Sequence, residues 1–227
     1  MVVNRNRIPP PATLGLLALL AVVFVLECAL TGVQQAIASN VSIETLDRLG
    51  GNYYDATVTG GQYWRLAAAM LLHGSLIHIA FNAYAMWNLG SNLERYAGPR
   101  ATVIAFVVTG LIASLASSLL GNRQAISVGA SGAVFGVLGF ACVVGVQNLA
   151  QFGTQLRRNA LVLLPSLLLS AVIPNVDNFG HVGGVVAGLA LGYVYRRPPR
   201  SLENVLAIGS IGVLGWAVVS MVANAFK

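Results

Sequence analysis

Apolar residues in this chain gather into long charge-free runs, and the charged residues fall between them. The runs cover 8–26, 66–93, 101–122, 124–156, 159–176, 178–195 and 204–226, each roughly the ~20 residues that a helix needs to cross a bilayer. The pattern predicts seven helices and an all-α, polytopic membrane bundle. The second and fourth runs exceed one span. Gly121, Gly129 and Gly132 place a loop at the start of the fourth and a helix from about Ser131 onward. The fifth run is bounded by Pro165 and Pro174, which shortens or kinks its helix, and an interrupted helix is tolerated in lipid where protein surrounds it. Between the first two runs lies a segment, about 34–65, too polar to span. Its Tyr53, Tyr54, Tyr63 and Trp64 beside Arg65 fit the headgroup level. No internal repeat, low-complexity tract or second domain interrupts the series.

Composition agrees and excludes a soluble globule. The chain has 227 residues, 56% hydrophobic and 9% charged, against about a quarter charged in an ordinary soluble domain; the mean hydropathy is +0.75. A net charge of +6 could suggest nucleic acid, but no basic patch with interleaved aromatics is present. The cations instead report topology. With a cytoplasmic N-terminus, Arg5, Arg7, Arg95, Arg100, Arg157, Arg158, Arg196, Arg197 and Arg200 lie inside and Arg48, Arg65, Arg123 and Lys227 outside, nine against four in the sense of the positive-inside rule. The C-terminus is then outside. A secretory signal ending near Ala36-Ile37-Ala38 is the competing reading of the start. The first apolar run is long for a signal core, and Glu27 within it would be odd in a disposable segment. Cys28 and Cys142 sit in apolar runs without metal-ligand spacing, as small fillers.

The three histidines, His73, His78 and His181, all lie in or at the mouth of spans, where polar groups are costly and point to function. Each alone could be an interhelical hydrogen-bonder. In the topology above, however, His78, Ser131 and His181 come to a similar depth below the outer surface on three helices that run the same way. His78 and Asn82, four apart, are about 40° around one helix, whereas His73 and His78 would be about 140° apart. That separation, the lack of an HExxH motif and the scarcity of supporting carboxylates weigh against zinc, and no cofactor is expected.

Nucleophilic catalysis fits better. Gly129-Ala130-Ser131-Gly132 sets a serine at a helix start, where free N–H groups and the positive helix end can stabilise an oxyanion. By itself it could be an ordinary N-cap. His181 supplies the base if the fourth and sixth helices touch, and both carry small residues: Gly132 and Gly136 on one, Gly180, Gly184, Gly188 and Gly192 on the other, spacing that lets backbones approach. No inner Asp or Glu is placed to orient His181, which favours a Ser–His dyad over a triad. Phe135, a turn beyond Ser131, is the candidate to stack on the imidazole. His78 and Asn82 are the candidate oxyanion donors.

Taken together, Gly61-Gln62-Tyr63-Trp64-Arg65-Leu66, the series His73, His78, Asn82, then Asn88-Leu89, Leu93-Glu94-Arg95, Gly129-Ala130-Ser131-Gly132 and Gly180-His181 through Gly188 resemble the rhomboid family of intramembrane serine proteases over about residues 46–195. The resemblance implies a six-helix core with a Ser131–His181 dyad, an oxyanion hole from His78, Asn82 and the Ser131 backbone, and a cavity open to the outside. It makes Trp64-Arg65 a loop motif dipping into the outer leaflet, His73 a structural histidine and Glu94-Arg95 a structural pair. It also implies single-span membrane-protein substrates, cut near the outer face at small residues after local unwinding. The expected organisation is a cytoplasmic tail at 1–11, the core at 12–200 with its outer loop at 34–65, and a seventh transmembrane helix at 201–227. Regulation by a cytosolic or soluble extra domain is not expected. Two other readings are a proton-relay transporter, for which paired broken helices in two halves are missing, and a catalytically silent binder of membrane helices. The residues do not indicate an oligomeric state.

Overall fold

The computed structural model describes residues 9–147, 176–195 and 198–226, with 154, 158, 161, 162, 165, 170 and 172 between them. The fifth predicted span thus lies mostly outside the described residues, and Arg5, Arg7, Arg157, Arg196, Arg197 and Lys227 lie outside them entirely. Among the described residues there are helices and no strands. They are α1 (Pro11–Thr31), α2 (Val33–Ala38), α3 (Ile43–Arg48), α4 (Arg65–Ala68), α5 (Leu76–Ala97), α6 (Pro99–Leu120), α7 (Ser131–Gln147), α8 (Asn178–Val194) and α9 (Arg200–Ala225), with a π-helical turn over Asp55–Thr59. Three of them, α1, α6 and α9, are long and apolar enough to cross a membrane, and α7 and α8 are shorter apolar helices of 17 residues each. The protein is a multi-pass membrane helix bundle.

Helix ends follow local chemistry. α1 and α6 start with proline at the first helical position, where the missing N–H costs nothing. α7 begins at Ser131, as the glycines before it require. The second predicted span needs correction. Its apolar run begins at Leu66, but the helix α5 begins only at Leu76, where Ser75 caps it by accepting from the His78 N–H at 3.2 Å. Residues 67–72, the end of α4 and the irregular stretch after it, are instead buried inside the bundle. Hydropathy registers burial without saying whether lipid or protein provides it, so a buried loop reads as part of a span.

The loop between α1 and α5 is held by polar bonds. Arg65 is buried; its Nη1 donates to the carbonyls of Asp47 (2.9 Å) and Gly51 (2.7 Å) and lies 3.0 Å from Asp47 Oδ1, and its Nε donates to Gln62 Oε1 at 2.7 Å. Arg65 is therefore the knot of this loop. Gly50, at φ +101°, lies directly under the Trp64 ring, and a Cβ there would collide with it. At the other end of α5, Glu94 closes the start of α1. Its Oε1 accepts from Ala12 N–H (2.9 Å) and its Oε2 from Thr13 N–H and Thr13 Oγ1 (both 2.8 Å). A carboxylate on free amides at a helix start is favourable on both hydrogen-bond and dipole grounds. Arg95 does not share this task; it donates to Asn92 Oδ1 at 2.6 Å on an exposed face.

Because both Glu94 oxygens accept, Glu94→Gln is expected to destabilise nearly as much as Glu94→Ala. An amide would turn a donor toward donors, and a buried unsatisfied group costs about 1–3 kcal/mol. Thermal melting in detergent measures this, and a Gln variant as stable as wild type would contradict the double-acceptor account.

Candidate active site

α8 packs between α6 and α7, and glycine sets how closely. A Cβ on Gly184 would collide with the Gly132 carbonyl and one on Gly188 with the Gly136 carbonyl. The two helices meet backbone to backbone at both turns, as small-residue stripes allow. Ser131 begins α7 and His181 lies in the first turn of α8, so this contact delivers both side chains to one place. His181 Nε2 lies 2.8 Å from Ser131 Oγ.

At that distance the neutral imidazole can accept the serine proton at Nε2, which puts its own proton on Nδ1. Nδ1 is buried and has no hydrogen-bond partner among the described residues. The ring is steadied by packing: Phe135 lies against it with centroids 4.5 Å apart and planes at 42°. His181 itself is 7% exposed. The Ser131 N–H stands at the helix start without an intrahelical acceptor four residues back.

The histidine on α5 reaches the same spot. Gly129 adopts φ +129°, strained for any residue with a side chain. The point where its Cβ would stand is 2.7 Å from His78 Nε2 and 3.7 Å from Ser131 Oγ. The His78 ring therefore stands directly against Gly129, where a side chain would lie, with Ser131 Oγ on the other side of that point. Asn82 is buried one turn along from His78, and its Nδ2 donates to the His78 carbonyl at 3.0 Å, which leaves the second amide hydrogen for another acceptor. A small cavity at Ser131 and His181 is lined by Met70, Gly110, Ala113, Ser127, Gly129 and Asp177 among others, and His78 and Asn82 do not line it.

His73 departs from its expected place. It precedes α5, so the helical angle separating it from His78 does not apply, and the two rings meet edge to face with centroids 5.1 Å apart. His73 is fully buried. Its N–H donates to Glu27 Oε1 at 2.8 Å, and its Nδ1 is 3.2 Å from the Leu71 carbonyl. Glu27, also fully buried, thus ties α1 to the segment that leads into α5. Among the described residues no three His, Cys, Asp or Glu side chains are grouped to hold a metal.

Sequence reasoning passed over three residues beside the site. Asn52 pairs its backbone with Ser127 (N–H to O 3.0 Å, and Ser127 N–H to O 2.8 Å), donates its amide to the Ser114 carbonyl and accepts from Thr57 Oγ1 and Ser118 Oγ. Ser127 Oγ donates to Asp177 Oδ2 at 2.6 Å, and Asp177 Oδ1 accepts from Gly180 N–H at 2.8 Å. Only Asp177 carried a readable signal: an Asp three residues before a glycine at the start of an apolar run is an N-cap pattern.

Comparison with known proteins identifies the family. The rhomboid domain model matches residues 60–198. The chain is 32% identical over 150 residues to Rhomboid protease GluP of Bacillus subtilis, covering 66% of this chain and 29% of that protein. It is 35% identical over 162 residues to RHOMBOID-like protein 5 of Arabidopsis thaliana, covering 70% of this chain and 52% of that protein. With Rhomboid-type serine protease 2 of Emericella nidulans it shares 29% identity over 161 residues, 68% of this chain and 31% of that protein. The chain therefore spans between about a third and a half of these relatives' length. The family match takes in Trp64, Arg65, His73, His78, Asn82, Ser131 and His181, the residues from which the site was built, and on this footing the chain belongs to the rhomboid family.

Proposed function

We propose that this protein is an intramembrane serine endopeptidase in which Ser131 is the nucleophile and His181 the general base. The observation that carries the reading is the 2.8 Å contact of His181 Nε2 with Ser131 Oγ at the junction of α7 and α8. Oγ attacks the scissile carbonyl carbon while Nε2 takes its proton; the carbonyl oxygen becomes an oxyanion. In this reading His78 Nε2–H, the Ser131 N–H and the second amide hydrogen of Asn82 donate to that oxyanion. Collapse breaks the C–N bond, and the imidazolium returns its proton to the leaving amine. Water then repeats the sequence on the acyl-enzyme, and the serine is restored.

Substrates in this reading are single-span membrane proteins cut near the outer face after local unwinding. The chain has its α1 start in the cytoplasm of a cell membrane, and six helices form the catalytic core over residues 12–200. The tail at 1–11 and the seventh transmembrane helix at 201–227 flank it. No cofactor enters the chemistry, and Trp64-Arg65 sits at the outer leaflet as part of the framework. The test is cleavage of single-span substrates by the purified protein in detergent beside a Ser131→Ala control. Cleavage that survives in the control would refute the assignment.

The oxyanion assignment has its own expected result. His78→Ala and Asn82→Ala each keep substrate binding and lower kcat by roughly 10²- to 10³-fold, the effect of losing one well-placed donor. If both turned over like wild type, the oxyanion would rest on the backbone donor alone. Gly129→Ala should also abolish turnover, because its methyl would strain the backbone and push the His78 ring away.

A further inference from the structure

We propose that Asp177 and Ser127 form a positioning pair that sets the register between the two catalytic side chains; the proposal rests on the protease reading above. The geometry has a simple symmetry. Ser127 lies four residues before Ser131, and Asp177 lies four residues before His181. One carboxylate joins the two leaders, with Oδ2 accepting from Ser127 Oγ at 2.6 Å and Oδ1 accepting from the Gly180 N–H at 2.8 Å. The Asp177 carbonyl accepts the His181 N–H at 3.1 Å. Asp177 is thus the N-cap of α8 and, through its other oxygen, the fastener of the Ser131 loop.

Ser127 is in turn fixed on its far side by the paired backbone bonds with Asn52, and Gly129 N–H donates to the Ala69 carbonyl at 2.9 Å. The loop before α7 is therefore held from the outer segment, while its link to α8 runs through Asp177. The glycine contacts fix the distance between the helices, but packed backbones can still slide or rotate about each other. A bond between the loop and the helix start opposes that motion.

His181 makes such a device matter. Its Nδ1 has no partner among the described residues, so none of them orients the imidazole from behind by a hydrogen bond, and its aim at Ser131 depends on where α8 begins. Asp177 does not act as the third member of a triad, since its two oxygens are engaged by Gly180 and Ser127. A misplacement of about 1 Å at a reacting pair can cost on the order of 10²-fold in rate.

The experiment compares wild type, Asp177→Ala, Asp177→Asn, Ser127→Ala and the double Asp177→Ala/Ser127→Ala, full-length in detergent, by kcat and KM on a single-span substrate and by thermal melting. Asp177→Ala should lower kcat by about tenfold to 10²-fold with KM unchanged. Ser127→Ala should lower kcat at least threefold, and the double variant should be no worse than Asp177→Ala. Asn can accept from Gly180 and donate to Ser127 Oγ, so Asp177→Asn should recover kcat to within about threefold of wild type.

A wild-type kcat in Asp177→Ala, or losses that multiply in the double variant, would overturn the pair. So would a fall of roughly 10⁴ in Asp177→Asn, the cost of removing a carboxylate that orients an imidazole directly. Should Asp177→Ala fail to fold, Ser127→Ala decides, and wild-type kcat there overturns the proposal. Wild-type cleavage that depends on Ser131 separates this outcome from failure of the protease reading.

Discussion

A fluorophosphonate probe offered to the purified protein is expected to label Ser131 and no other serine, and His181→Ala is expected to slow that labelling by roughly 10²- to 10⁴-fold, the range of a general base. Phosphonylation needs only an activated hydroxyl and an oxyanion site, so it tests the chemistry without a known substrate. Other buried serines have different neighbours. Ser118 donates to Asn52 and to the Ser114 carbonyl, and Ser127 donates to Asp177; neither faces an imidazole. Ser131 combines a base at 2.8 Å with the start of a helix. Mass-spectrometric mapping of the adduct checks the assignment, and an adduct that persists in Ser131→Ala would mean the wrong nucleophile was chosen.

The second large effect is expected from a residue without chemistry. Gly184→Val places a branched side chain where the Gly132 carbonyl already stands, so α7 and α8 must separate at the level of Ser131. The Ser131–His181 pair then exceeds hydrogen-bond reach of about 3.2 Å, and kcat is expected to fall by at least 10²-fold. Overpacking also costs stability, typically about 1–3 kcal/mol, which appears as a lower melting temperature. Gly184→Ala should act in the same direction, because even one carbon overlaps the carbonyl. Gly212→Ala on α9 is the control, since a Cβ there meets nothing within 4 Å, and it should leave rate and melting unchanged. Wild-type behaviour of Gly184→Val would transfer the positioning of His181 to another seam.

The membrane class, the start of α7 and the closeness of Ser131 to His181 could be read from sequence because each rests on a local signal: a charge-free run, a glycine cluster and a four-residue glycine stripe. The start of α5 could not. Residues 67–72 are as apolar as a span, and only the tertiary fold shows that they are surrounded by protein. This also hid the contact of His73 with His78, because an angle around a helix has no meaning for a residue outside it. Asn52 and Ser127 were illegible for a different reason: their bonds join distant positions, Asn52 to Ser118 and to Ser127 among them, and nothing nearby in the chain marks them. Glu27 was noticed as an anomaly, and its partner, a backbone N–H at position 73, has no signature in a side-chain pattern.

The Glu94 latch has a consequence for compartments. By joining the end of α5 to the beginning of α1, it puts both on one face of the bundle, so the chain crosses an even number of times between them. The beginning of α5, and with it His78, belongs to the opposite face, together with Ser131 and His181. α9 starts beside the end of α8, where Tyr195 donates to Glu203, and packs on α3 and α4; it therefore runs back toward the catalytic face. On the proposed reading, the Pro11 end of α1 and the Ala225 end of α9 open into different compartments, with Ser131 on the side of Ala225. Locating both ends by accessibility to an impermeant reagent tests that proposed arrangement without observing a cut.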